Sequence, residues 1–501
     1  MESAIVEERA EDRLSKKNLY MFSLATVGRD ACYSLFNGYL LSFILFTKNL
    51  TTAQFASISI IIIVARLFDA FNDPFMGGIV ENTRSKWGKF KPWQFIGAIL
   101  TGGVIIAVFN VSLDGWDFIA FLAVAYFMFS ITFTMNDISY WGMLPSLTSN
   151  SEDRNKLSSI SSICAAIGGG AAGMFIPIFT TGQFAINGSA ITGYRIIAIV
   201  FAVIMVGFQM FSVFGVTEKP LATNLESKPR LTIKQIFAKL FKNDQLMWAA
   251  LIILLFSIGT NVVGGGLSMS YIYFEFGYDG ALLTIYGIGF AVTSTLFTLF
   301  YPMLARRFSK EKLFFSTVIA MCAGYAMLLI VGLAIPTSLK TLKFGAMMVC
   351  NAIIGYGQGF WMMMVIYIAN TVEYNELKTG TREEGLIFSV RPLITKLASA
   401  IMQGLVMLVY IFCGVLTYTN AISDLENNAS LGLITTEEKL SGIEQVIQSV
   451  SEGNKIGILI SMCLFPIVFV AISGYIYKKK CFINDQKYKE ILEELAKRSN
   501  D

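Results

Sequence analysis

The chain has 501 residues, 54% of them hydrophobic and 15% charged, with a net charge of +4 and no histidine. A soluble chain of this length would carry about 25% charged residues, so these proportions exclude an ordinary globular protein and point to a membrane one. The missing histidine removes the commonest general base and the commonest metal ligand from any mechanism. The seven cysteines are an odd number without paired spacing, which argues against a disulfide framework or a metal knuckle.

Met1 to Asn18 is charged and holds no apolar run ending in a small-residue cleavage site, so a signal peptide is not expected. Long uncharged stretches follow, and a helix needs about 20 apolar residues to cross a bilayer. The pattern predicts helices over 20–47, 53–80, 92–110, 117–147, 157–181 and 192–216. After a charged break it predicts six more, over 245–276, 281–305, 312–334, 343–371, 384–418 and 453–477. The break, Glu218 to Lys242, holds Lys219, Lys228, Arg230, Lys234, Lys239 and Lys242. The expected architecture is an all-α membrane protein with 12 transmembrane helices in two six-helix halves. The halves are residues 1–217 and 244–478, with a central loop at 218–243 and a tail at 479–501.

Lysine and arginine collect on alternate connections: Arg84, Lys86, Lys89 and Lys91; Arg154 and Lys156; the central break; Arg306, Arg307, Lys310 and Lys312; Lys378 and Arg382. Both termini join them, through Arg9, Arg13, Lys16 and Lys17 and through Lys478, Lys479 and Lys480. The connections around Asp114, Asn187 and Asp279 carry little positive charge, and Lys48, Lys340 and Lys343 are too few to reverse the bias. The positive-inside rule then puts both termini and the central loop in the cytoplasm, which requires an even number of spans. The long acidic segment Thr419 to Asn454 is expected outside, with room for a short amphipathic helix. Its Asn428-Ala-Ser matches a glycosylation acceptor, which carries no weight in a chain that otherwise reads as bacterial. Short basic loops at matching places, Thr83-Arg-Ser-Lys-Trp-Gly-Lys-Phe and Arg306-Arg-Phe-Ser-Lys-Glu-Lys-Leu, suggest duplicated halves with a substrate near the midplane between them.

A charge inside the bilayer costs at least about 2.5–3.5 kcal/mol, which makes intramembrane ionisable residues functional candidates. The second helix carries Arg66, Asp69, Asn72 and Asp73, and spacings of three and four put Arg66, Asp69 and Asp73 on one face. Two carboxylates so close cannot both stay ionised in a low-dielectric site without a compensating cation. That describes a place where Na⁺, Li⁺ or H⁺ binds and leaves, with Asn72 offering a neutral oxygen. Pro74 is expected to loosen the helix and free backbone carbonyls as further ligands. A purely structural pair of Arg66 with one aspartate would explain one carboxylate, not two.

Arg29-Asp30 interrupts the first helix, and in the fourth Asp137 is followed four residues later by Trp141, on the same face. A carboxylate beside an indole suits a sugar: the carboxylate accepts hydroxyl hydrogen bonds and the ring covers the apolar face of the pyranose. Phe133 stands one turn before Asp137. In the second half Lys396 sits in an otherwise uncharged helix, where it would neutralise carboxylates of the first half across a cavity; Arg391 is expected to snorkel to the surface. Gly168-Gly-Gly and Gly264-Gly-Gly are expected to allow close helix packing, and the methionines are read as core filler.

Arg66-Leu-Phe-Asp-Ala-Phe-Asn-Asp-Pro, Thr83-Arg-Ser-Lys-Trp-Gly-Lys-Phe-Lys-Pro-Trp93 and Glu373-Tyr-Asn-Glu-Leu-Lys-Thr-Gly-Thr-Arg-Glu-Glu-Gly385, continued by Ser389-Val-Arg-Pro-Leu-Ile-Thr-Lys396, closely resemble signatures of the glycoside–pentoside–hexuronide:cation symporters, a family of the major facilitator superfamily. Asp137-Ile-Ser-Tyr-Trp141 looks like its galactoside carriers for melibiose, lactose and raffinose. The resemblance implies a major facilitator fold, no enzymatic activity and no cofactor beyond a transported Na⁺, Li⁺ or H⁺. It implies a cation site of Asp69, Asn72 and Asp73. Asp30, Asp137, Trp141, Arg29 and Phe133 would bind the sugar, with Arg66 and Lys396 as charge partners. The expected partners are the sugar, the cation and the lipid bilayer, with no nucleic acid; the expected form is a monomer in the bacterial cytoplasmic membrane. The chain departs from the melibiose pattern at Ser162, Phe133 and Asn370, which leaves the sugar open between a galactoside and another glycoside, pentoside or glucuronide. A regulatory domain like that attached to some lactose carriers is not expected after Lys497. A sugar sensor on the same fold and a drug or peptide carrier are the weaker readings.

Overall fold

The computed structural model describes residues 14–148, 150–217, 242–380 and 384–500. Arg9, Arg13, Arg382 and all but the last two positions of the expected central loop lie outside the described residues. The described chain is built from helices: α1 Lys16–Thr47, α2 Thr52–Asn82, α3 Lys91–Asn110, α4 Gly115–Met143, α5 Ser151–Thr180 and α6 Ala190–Gly215 come first. Then follow α7 Asp244–Val262, α8 Ser268–Phe276, α9 Gly280–Arg307, α10 Lys310–Ala334, α11 Lys340–Gly357, α12 Gly359–Thr379 and α13 Glu384–Phe412. The last four are α14 Val415–Ser430, α15 Thr436–Ser449, α16 Glu452–Lys480 and α17 Asp485–Asn500.

Among the described residues eleven stretches are long and apolar enough to cross a membrane, the α7–α8 and α11–α12 pairs each counting as one. The 32-residue α1, interrupted by Arg29 and Asp30, is not among them and makes a twelfth long helix. Serine, threonine or asparagine starts many of these rods. Ser15, Asn150, Ser189, Asn243, Ser309 and Ser451 each accept a backbone N–H of the first turn, and Thr51 forms a reciprocal box with Gln54. Such caps satisfy donors that the helix itself leaves open and contribute about 1 kcal/mol each.

The described residues form two compact units. In the first, α1 packs against α5 and α6, α3 against α4 and α6, and α2 against α4. The Gly168 run behaves as expected at its first position: a Cβ there would fall 2.1 Å from the Val27 carbonyl oxygen, so α5 meets the α1 backbone directly. α2 runs on through Pro74 without a break in the helix, and because proline has no N–H the carbonyl four residues earlier lacks its helical donor.

In the second unit the Gly264 run serves packing as expected at Gly265, where a Cβ would meet Met402 and Val406 of α13, and it also shapes the backbone. Val263–Leu267 is a π-helical turn between α7 and α8, with Gly266 at φ 129. Only a glycine adopts that conformation without strain, and Gly264 has no neighbour within 4 Å of where a Cβ would stand. Beyond the turn, the last turn of α8 holds buried Glu275, which accepts from Lys343 at 2.5 Å and from Thr337 at 2.8 Å. The expected single helix 343–371 is longer at both ends and broken at Gln358.

The expected 384–418 helix stops at Phe412, and the following segment holds two helices instead of one short one. Although α14 and α15 follow α13 in the chain, Leu416–Gln448 belongs to the first unit. Asn420 makes a reciprocal pair with the Leu50 backbone, accepting its N–H at 2.9 Å and donating to its carbonyl at 2.8 Å. Asn49 donates to Asp424 at 3.1 Å. Glu426 and Lys439, both 0% exposed as side chains, form an ion pair at 3.1 Å. Glu426 also accepts the Ala190 N–H at 2.7 Å, capping α6. Burial raises the Glu426 pKa, with the Lys439 ammonium pulling the other way. α17, not foreseen from the sequence, is held by Asp485 to Lys310 at 2.9 Å and by Arg498 to the Leu377 carbonyl at 2.8 Å.

Candidate functional site

Apart from Lys396, every residue expected in the cation site, in the sugar site or as a charge partner lies on α1, α2 or α4 of the first unit. Residues one turn apart share a helix face, and the facing stripes of α2 and α4 match. Asp69 and Asp73 stand on α2; Ser130 and Thr134 stand opposite on α4 at the same interval. The Ser130 hydroxyl donates to Asp69 Oδ1, and the Thr134 hydroxyl donates to Asp73 Oδ1 at 3.3 Å. Asn72 is buried and donates from Nδ2 to the Ser130 carbonyl at 3.4 Å. One turn earlier on α2, the Arg66 guanidinium is hydrogen-bonded to Tyr33 and Tyr126, with the Asp69 charge close by.

Three residues beyond Thr134 the same face of α4 presents Asp137, and here α1 supplies the opposite charge. Arg29 donates to Asp30 Oδ2 from Nε at 3.1 Å and from Nη2 at 2.9 Å. Its Nη1 lies 3.1 Å from Asp137 Oδ1, an ionic contact out of hydrogen-bond alignment. The Arg29 side chain is 4% exposed, whereas Asp30 and Asp137 are 28% and 36% exposed. A guanidinium buried so deeply is tolerable only with paired carboxylates; those carboxylates in turn keep an accessible edge.

Aromatic rings frame the triad. The Arg29 guanidinium lies over Tyr140 at 4.7 Å and Trp141 at 5.3 Å. Tyr140 is fixed by stacking on Phe22 at 4.1 Å and by its hydroxyl donating to the Phe22 carbonyl at 2.8 Å. Phe133 sits against Tyr33 at 5.1 Å and Phe129 at 5.5 Å, and Phe129 stacks on Phe36 at 3.6 Å. Carboxylates with an open edge beside an indole suit a ligand that carries hydroxyls on its rim and an apolar face.

Arg29, read from the sequence as part of the sugar site, is thus also the counter-ion that Asp30 and Asp137 share. Lys396 lies half-buried on α13 in the second unit. Arg391, expected to snorkel, has its guanidinium 5.0 Å from the Trp361 ring. Sequence reasoning missed Ser130, Thr134, Tyr33 and Tyr126. A signal existed for two of them: Ser130, Thr134 and Asp137 form a polar ladder at intervals of four and three in an apolar span.

These features define a polytopic membrane carrier with a charged, aromatic-lined site on its first helices. The chain belongs to the MFS/sugar transport protein family, whose model matches residues 21–478. It is 27% identical over 494 residues to the raffinose carrier protein of Pediococcus pentosaceus, covering 95% of this chain and 71% of that one. It is equally 27% identical over 497 residues to the lactose permease of Leuconostoc lactis, with the same coverage. Among solved structures it is similar to a bacterial homologue of the human lysosomal transporter Spinster in an inward-facing, occupied conformation. That likeness has a TM-score of 0.58 at 11% identity, over 93% of this chain and 96% of the other. A D-xylose–proton symporter matches with a TM-score of 0.56 at 13% identity, over 88% and 98%. The fold is that of the major facilitators, and the protein is a multi-pass membrane sugar transporter, not an enzyme.

Proposed function

We propose that the protein carries a galactoside-type di- or oligosaccharide into a bacterial cell together with Na⁺, Li⁺ or H⁺, by alternating access. The observation that carries this is the use of one face of α4 for two purposes. Ser130 and Thr134 meet the aspartate pair of α2, and one turn further on Asp137 meets Arg29, which also holds Asp30. In this scheme Asp69, Asn72 and Asp73 hold the cation, with Arg66 beside them. Asp30, Asp137, Trp141, Arg29 and Phe133 hold the sugar, its hydroxyls on the carboxylates and its apolar face on the rings. A cation that neutralises the aspartate pair changes the charge met by the α4 stripe, and so favours the conformation in which the sugar site is competent. Both termini face the cytoplasm, following the basic connections, and a single chain suffices for transport.

The test is uptake of radiolabelled melibiose, lactose and raffinose by a transport-deficient strain with and without Na⁺, for wild type and Asp73→Cys. Na⁺-stimulated galactoside uptake, lost in the variant while sugar binding survives, is the expected result. If no galactoside accumulates with any cation, the galactoside assignment fails and glucosides, xylosides and glucuronides become the candidates.

A further inference from the structure

We propose that the cavity between α14 and the adjoining ends of α1, α3 and α6 is a second binding site for the transported sugar, separate from the Asp137 site. The inference rests on the function proposed above, and on the topology that turns this end of the first unit outward. The cavity lies wholly within the first unit and has a volume of about 490 Å³, inside the range of about 300–1,000 Å³ usual for small-molecule sites. Its wall on α14 is a polar stripe: Ser423, Asn427 and Ser430 recur at intervals of four and three on one helix face. Ser423 is 2% exposed, lines the cavity, and has no hydrogen-bond partner for its hydroxyl among the described residues. A buried hydroxyl left open costs free energy until something that enters the cavity meets it.

The lining defines the chemistry that fits. Its charged groups are two cations, Lys48 and Arg195, against two carboxylates, Asp114 and Asp424. Balanced charge selects neither an anion nor a cation, yet each group keeps hydrogen-bonding capacity. Lys48 donates to the Leu113 carbonyl at 2.6 Å and to Asp114 at 2.9 Å, which leaves one of its three N–H groups. Among the described residues Arg195 reaches only the Ser112 hydroxyl, at 3.4 Å, and Asp424 accepts only from Asn49. Donors and acceptors set side by side match a neutral polyol, whose every hydroxyl both donates and accepts. Phe43 and Phe109, with ring centroids 4.8 Å apart, add an apolar part to the lining. The wall is also fixed in advance: Glu426 of α14 pairs with Lys439 and caps α6, so binding need order little of the chain.

Equilibrium dialysis of radiolabelled sugar against the purified full-length protein counts the sites, using the sugar selected by the uptake screen. Wild type is expected to bind about two sugars per chain, and Asp137→Asn, which keeps only the outer site, about one. Asn427→Trp fills the cavity from an exposed position and is also expected to bind one; combined with Asp137→Asn it binds none. In the Asp137→Asn background, Ser423→Ala should weaken the remaining binding about twofold to tenfold, one neutral hydrogen bond's worth. A single sugar per chain in wild type, lost altogether in Asp137→Asn, overturns the proposal while the transport site stands. Two sites that both survive Asn427→Trp overturn it as well, since the second sugar then sits elsewhere. Should Asn427→Trp fail to fold, an unchanged affinity of Ser423→Ala in the Asp137→Asn background overturns it alone. A wild type that neither binds nor accumulates any glycoside of the screen removes the proposed function itself, and the outer site falls with it.

Discussion

Replacing Arg29 by lysine keeps the charge and removes the geometry. The guanidinium makes two hydrogen bonds to Asp30 at 2.9 and 3.1 Å and an ionic contact to Asp137 at 3.1 Å, while lying over Tyr140 and Trp141. An ammonium is a point charge on a flexible stem and cannot hold two carboxylates and two rings at once. A hydrogen bond to a charged group contributes about 1.5–3 kcal/mol, and partly exposed carboxylates place the loss toward the lower end. Sugar affinity should therefore fall about tenfold to thirtyfold in Arg29→Lys, one such bond's worth. Calorimetric titration of sugar into purified protein at saturating Na⁺ measures this directly. The concentration of Na⁺ needed for half-maximal effect should stay put, because Arg29 contacts neither Asp69 nor Asp73 in any observed hydrogen bond. Sugar affinity within threefold of wild type would refute the view that a guanidinium positions the two carboxylates.

Other consequences concern packing and the segment clasped to the first unit. Gly168→Ala drives a methyl into the Val27 carbonyl and should cost about 1–3 kcal/mol, whereas Gly170→Ala meets nothing within 4 Å and should not lower thermal stability in detergent. Lys439→Ala strands the buried Glu426 carboxylate and should loosen α14 and α15 by about 3–5 kcal/mol, read as lost amide protection over 416–448. Combining Glu426→Gln with Lys439→Met keeps an acceptor for the Ala190 N–H without stranding a charge, and should recover most of that protection. Glu438 accepts the Thr435 N–H at 2.7 Å at the start of α15, which holds its pKa below the ordinary glutamate value. A depressed folded pKa stabilises above the unfolded value and is lost as pH falls through the folded one. Protection in the first turn of α15 should therefore drop on acidification from about pH 5 downward, and Glu438→Gln should show the lower protection already at neutral pH, without that drop.

Much of this protein follows from its sequence because burial in a bilayer imposes simple demands. A helix must satisfy its own backbone and be long and apolar, so the spans could be placed from hydropathy and their ends from Ser, Thr and Asn caps. Charges cannot sit in lipid without reason, so Arg29, Asp30, Arg66, Asp69, Asp73 and Asp137 stood out one by one. Partnership could not be read the same way, because it depends on how helices far apart in the chain are turned toward each other. That Arg29 serves Asp137, that Ser130 meets Asp69, and that Tyr33 and Tyr126 hold Arg66 are facts of helix rotation. The two glycine runs look alike in sequence, yet Gly168 lets a helix pack against backbone while Gly266 accommodates a π-helical turn. Likewise, Leu416–Gln448 follows α13 in the chain but belongs to the first unit, because Glu426 and Asn420 find their hydrogen-bond partners at Ala190 and Leu50. Composition and periodicity determine what each segment must be; only tertiary structure decides which polar group answers which, since a buried charge or donor is stable only where its partner lies within hydrogen-bonding distance.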